Sequence, residues 1–116
     1  MICDLPDLKQ HLRVDGDHED GLIQSYALAA ERQVADWIGR PFYRSVSDLP
    51  MADTPAWHPD QLVADEAIKV SVMMLTARIY EADRAAAGDG IDPAVPPMSV
   101  RALLAGHRVF AKAADA

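Results

Sequence analysis

The chain has 116 residues, half of them hydrophobic, and its 18 acidic and 11 basic side chains give a formal charge of −7. That length suits one domain burying about 65% of the surface of its unfolded chain, with a composition too apolar for a disordered protein. The negative field repels phosphate backbones and argues against a protein that grips nucleic acid.

The pattern predicts an all-α fold, a small bundle of about four helices at roughly 4–13, 17–38, 60–87 and 99–112, with a long irregular loop at 40–59. We expect one domain over 1–116, its small, polar tail at about 113–116 fraying. In the first helix Asp4 is the expected N-cap, Pro6 sits in the opening turn, and Leu5, Leu8 and Leu12 form the apolar stripe. The second begins after Asp17, read as its cap with Asp20 three residues on, a capping-box-like arrangement. It carries Leu22, Ile23, Tyr26, Ala27, Ala30, Val34, Trp37 and Ile38 at helical spacing. Gly39 and then Pro41 end it in a left-handed turn.

Residues 40–59, "RPFYRSVSDLPMADTPAWHP", hold four prolines and no sustained period, so no helix forms there, although "FYRSV" is able to pair briefly as a strand and a hairpin is weakly signalled. Phe42, Tyr43, Leu49 and Trp57 imply that this loop folds onto its own domain or a partner. The third helix is expected to be capped by Asp60. Its middle, "AIKVSVMMLTARIY", is apolar on nearly every face, so it is either the central element or covered in part by another subunit. "GDGIDPAVPP" then breaks the chain. Ser99 caps a last helix with Val100, Leu103, Leu104, His107 and Phe110 on one side, loosened at Gly106 and carrying Arg101 and Arg108 two turns apart on a common face.

No chemistry-bearing constellation emerges. A calcium loop beginning at Asp15 would need glycine at its sixth position and glutamate at its twelfth, which are Asp20 and Tyr26. The acids of "DGDHED" suit instead the positive end of a helix dipole. His18-Glu19 lacks the second histidine of zinc-protease spacing, Leu22 standing there. His11, His58 and His107 read as edge-of-core residues, the scattered glycines form no phosphate loop, and the single Cys3 excludes an intramolecular disulfide and a cysteine zinc site. We therefore expect no catalytic, cofactor-binding or metal-ligating residue. Met73 and Met74 are core filler or an adaptable interface. No segment reaches the ~18 apolar residues of a membrane span, and "MICDLPDLKQ" lacks a charged leader, so a cytoplasm-like setting is expected.

Three stretches in order carry a resemblance: "LPDLKQHLRVDGDHEDGLIQSYALAAERQVADWIGRPF", "ARIYEADR" and "PPMSVRALLAGHRVF". Together they resemble the phage head-tail connector family, the small adaptors that join the portal of a tailed-phage capsid to the tail. The sequence departs from the family pattern at Gly106-His107, where a proline and an aromatic are expected. The resemblance implies a helical structural subunit, not an enzyme, without cofactor or membrane contact. It implies a ring of about a dozen copies docked on the portal, with a tail-side completion or stopper protein and genome DNA passing through the channel. The place implied is the virion head-tail junction, assembled in the bacterial host cytoplasm. The third helix, the 40–59 loop and the last helix are the expected contact surfaces, with Tyr80, Arg84, Arg101 and Arg108 at the subunit or portal interface. The rival readings are a small helical regulatory or protein-interaction module binding a partner as a dimer, and a metal-dependent enzyme using the 15–20 acids. The first needs several basic residues on one exposed helix face, a density no helix here shows.

Overall fold

Helix α3, Glu66–Arg84, is the element on which the others pack: α1 (Leu5–Leu12), α2 (Asp20–Ile38) and α4 (Met98–Leu104) all contact it. The computed structural model describes residues 1–84 and 97–109, with backbone alone at 83 and 84. Within α3, Ile68, Ser71, Val72, Leu75, Thr76 and Tyr80 are buried. At about 100° per residue these positions span roughly half the helix circumference. The opposite arc holds Val70, Met73, Met74 and Ala77 beside the exposed Glu66 and Glu81. Of the two expected outcomes the first is met: α3 is the central element, and Val70 is the exposed apolar residue on its outer arc.

Helix α2 turns Ile23, Ala27, Ala30, Val34 and Ile38 inward at three- and four-residue spacing, all fully buried. Its alanines let the neighbouring backbone approach closely. Gly39 stops it at φ 77°, its N–H bonding Ala35 O at 2.9 Å, as expected for a left-handed cap. Asp4 holds the N-cap position of helix α1, Pro6 lies in its first turn, and its C-cap is Arg13, a non-glycine residue at φ 60° whose N–H reaches Gln10 O at 3.2 Å. Leu8 is its fully buried residue, and Leu5 and Leu12 pack half-buried against the core.

Three boundaries differ from the sequence reading. Helix α2 starts at Asp20, not 17: Glu19 takes the cap position without capping the helix through its side chain, and Asp17 turns its carboxylate to Lys9 on α1 at 3.0 Å instead. A cross-element ion pair wins over a local cap. Helix α3 starts at Glu66, not 60, because Leu62–Val63 is strand β2, paired in parallel with β1, Phe42–Tyr43. Asp65, not Asp60, caps the helix, its Oδ1 accepting Ile68 N–H at 3.0 Å. "FY" does pair as a strand, but in a parallel ladder with residues 44–61 as the crossover rather than in a hairpin.

The third difference lies at the C-terminal end, where Pro97 holds the cap position of α4 and Ser99 lies inside the first turn. The helix stops at Leu104 and tightens into a 3-10 turn, Ala105–His107, after which Arg108 is extended. Arg101 and Arg108 therefore do not share a helix face. The predicted stretches 85–87 and 110–112, Phe110 and the 113–116 tail lie outside the described residues.

Candidate assembly surface

The crossover 44–61 is tied down at its base and apolar at its tip. Arg40 Nε donates to Asp60 O at 2.6 Å, Gln61 Nε2 to Pro50 O at 3.0 Å, and Asp60 N–H to His58 Nδ1 at 3.0 Å. Ser45 Oγ bonds Asp48 Oδ2 at 2.9 Å around the 3-10 turn Val46–Asp48. These bonds satisfy backbone and side-chain groups that a loop would otherwise leave to water. Residues 51–57 are nonetheless all exposed, and Val46 and Met51 stand 75% and 71% accessible, with Trp57 at 43%. Val46, Met51 and Trp57 are thus large apolar side chains held outward on a braced loop.

Next to the loop base lies a surface of mixed character, with Asp4, Asp7, Ser45, Glu66 and Lys69 beside its apolar residues. A groove of about 340 Å³ lies between the N-terminal segment, Arg44 and α3, with Ile2, Cys3, Val70 and Met73 among its lining residues. Arg44 closes one rim by pairing with Asp4, Nη2 to Oδ1 at 2.6 Å. Burial, and then the charge of Glu31, pushes the Cys3 thiol up to about 11, which disfavours its thiolate. Its Sγ lies 3.6 Å from Lys69 O. Val70 is 41% exposed, and no signal in the sequence distinguished it from its buried neighbours.

Two of the acids of residues 15–20, Asp17 and Asp20, share one cation. Lys9 Nζ stands 3.0 Å from Asp17 Oδ1 and 2.9 Å from Asp20 Oδ1, its side chain 14% exposed. Hydrogen bonding to Asp20 and then Asp17 raises the lysine, while the bond from Lys9 lowers Asp17. The carboxylates therefore clamp α1 to the start of α2. A cleft of about 690 Å³ opens beside them, lined also by Leu5, Pro6, Arg13 and Val14. Among the described residues no three His, Cys, Asp or Glu side chains converge as a metal would need.

The histidines diverge from one another. His11 is exposed rather than at the edge of the core, His58 organises the loop, and His107 Nε2 contacts Asp65 Oδ2 at 2.7 Å. Of the expected interface residues, Tyr80 is only 4% exposed, Arg101 is half-buried on α4, and the side chain of Arg84 lies outside the described residues. Arg108 is exposed but engaged: its Nε donates to Trp37 O at 3.0 Å and its guanidinium lies 4.2 Å from the Trp37 ring centroid. The structure thus distributes these residues over separate elements. Val46, Met51 and Val70 are the surface residues that sequence reasoning missed, since exposure of an apolar residue leaves no trace in periodicity. Among the described residues no helix is long and apolar enough to cross a membrane.

Comparison with known proteins adds three findings. Residues 2–89 match the family model described as phage gp6-like head-tail connector protein, a match that ends before α4. The crystal structure of bacteriophage HK97 gp6 is similar in fold at a TM-score of 0.62 and 23% identity, over 93% of this chain and 94% of that one. No curated protein matches the sequence.

Proposed function

Because this chain belongs to the phage gp6-like head-tail connector family, we propose that it works as a ring of about a dozen copies between the portal and a tail-side completion or stopper protein, at the virion head-tail junction. The role is structural, with no catalysis and no cofactor, and assembly takes place in the host cytoplasm.

The observation that carries this reading is the braced loop with Val46, Met51 and Trp57 turned outward. A closed ring needs two different surface patches on each copy, one to meet the next copy in each direction. We assign these roles to the loop tip and to the outer arc of α3 around the exposed Val70. Arg84, Arg101 and Arg108 are proposed to serve subunit or portal contacts, and Tyr80 to position α3 from within.

With a formal charge of −7 per copy, few cations are available to neutralise phosphates, so the genome slides through the channel without being held. Saturable duplex binding by the assembled ring with a steep salt dependence would count against this part of the reading.

Native mass spectrometry of the chain, alone and mixed with a portal, tests the assembly directly. A ring-sized species with portal is expected, and Met51→Asp with Val46→Asp should abolish it while leaving the helical circular dichroism unchanged. Persistent monomer or dimer in the presence of portal overturns the proposal.

A further inference from the structure

Beyond Leu104 the chain runs back across the molecule as a strap. His107 Nε2 stands 2.7 Å from Asp65 Oδ2, Arg108 Nε donates to Trp37 O at 3.0 Å, and Val109 N–H donates to Ile38 O at 2.6 Å. The places it touches have a particular position in the sequence. Trp37 and Ile38 immediately precede the segment that leads into β1, and Asp65 immediately follows the segment that leaves β2. Three consecutive residues of the strap therefore hold both feet of the 39–64 insert. Between those feet the insert is joined by a two-residue parallel ladder, with Leu62 N–H to Pro41 O at 3.3 Å and Ala64 N–H to Tyr43 O at 2.8 Å, and by the side-chain bonds of Arg40 Nε to Asp60 O and Gln61 Nε2 to Pro50 O. A ladder that short does not hold its own register.

We propose that residues 107–109 are a clasp that sets the posture and mobility of the 44–61 loop, so that an event at the C-terminal segment is transmitted to the apolar loop tip. The construction of the strap suits it to opening. None of residues 105–109 is fully buried, whereas its anchor on α4 is, with Leu104 at 0% and Val100 at 1% exposure. Its side-chain contacts are polar and at the surface, and the backbone bond of Val109 to the buried Ile38 is the exception, so the strap belongs to the low-stability end of the molecule. Gly106 lies exposed in the 3-10 turn at the start of the strap, and a side chain there would meet no atom within 4 Å. The clasp is a property of the single chain. That it releases or locks a contact surface rests on the connector reading.

Hydrogen exchange read by mass spectrometry on the full chain tests the coupling. In the double variant His107→Ala, Arg108→Ala, exchange across 40–63 should rise at least tenfold while the α2 and α3 amides keep their protection. A rise confined to 105–109, with 40–63 unchanged, overturns the proposal. Should the double variant exchange faster everywhere, Asp65→Asn decides, because asparagine still accepts the Ile68 N–H as a cap but loses the charge that faces His107. A rise limited to the strap and 40–63 supports the clasp, and an unchanged loop overturns it. Failure of the connector reading shows separately, as a wild-type chain that forms no ring with portal, and the exchange result does not depend on it.

Discussion

Arg108 covers the indole of Trp37, its guanidinium 4.2 Å from the ring centroid, while its Nε donates to the Trp37 carbonyl at 3.0 Å. One side chain thus satisfies a helix C-terminal carbonyl and stacks on the residue that owns it. Arg108→Ala should cost about 1–2 kcal/mol, combining an exposed cation-π contact with a charge-assisted hydrogen bond. Arg108→Lys should recover less than half, because a lysine ammonium cannot stack and donate from one plane. Urea titration followed by Trp37 fluorescence in a Trp57→Phe background measures both; equal stability of all three proteins would remove the contact as an energetic feature.

Gly39 lies against the same strap. At φ 77° it occupies the left-handed region, and a Cβ built there would stand 2.2 Å from Val109 O. Gly39→Ala therefore meets two penalties, one from the backbone and one from the strap, and should destabilise by about 2 kcal/mol or more. In a chain ending at residue 107 only the backbone penalty is left, so the same substitution should cost about 1 kcal/mol there. Calorimetry of the four proteins gives the coupling; strict additivity would show that the strap does not press on Gly39.

Ser71 is fully buried, and its hydroxyl has no hydrogen-bond partner among the described residues. Replacing it by alanine removes an unmet polar group and improves helix propensity, so Ser71→Ala should stabilise by about 0.5–1 kcal/mol. Ser71→Val adds volume to a packed site and should destabilise. A Ser71→Ala protein that melts lower than wild type would mean the hydroxyl is bonded in solution.

Asp65 makes stability depend on pH on the acid side. Its partial burial raises it, but the Ile68 N–H bond and the charge of His107 outweigh that, leaving it below the ordinary value of 3.8. A carboxyl whose folded value is depressed stabilises the fold above its unfolded value and loses that contribution as pH falls through the folded one. Wild type should therefore be more stable than Asp65→Asn at pH 7, with the difference shrinking progressively below about pH 4. Urea midpoints from pH 7 to pH 2.5 check this; a difference independent of pH would assign the effect to the cap geometry alone.

Local pattern decided much of the fold. Helix α2 was legible from Ile23 to Ile38 and in its Gly39 stop, because a 3.6-residue apolar period and a left-handed terminator are properties of neighbouring residues. The N-cap position of α1 at Asp4 was legible for the same reason. The same acids misled at Asp17, where the sequence offers a cap and the structure offers Lys9 from another helix. Residues 60–65 were read as helix because Leu62 and Val63 fit the apolar run that follows, whereas their strand pairing depends on Phe42 and Tyr43, twenty positions away.

By itself, then, the sequence determined the number and order of the helices, the break at 40–59 and the family, since these rest on short-range periodicity, turn chemistry and an ordered set of motifs. Only the tertiary structure decided which apolar residues remain outside, at Val46, Met51 and Val70, and that Asp65 and Ile38 are gripped by one strap. Exposure and long-range polar contacts depend on how helices pack around α3. That packing is set by the sum of many weak contacts, and no single stretch of chain encodes it.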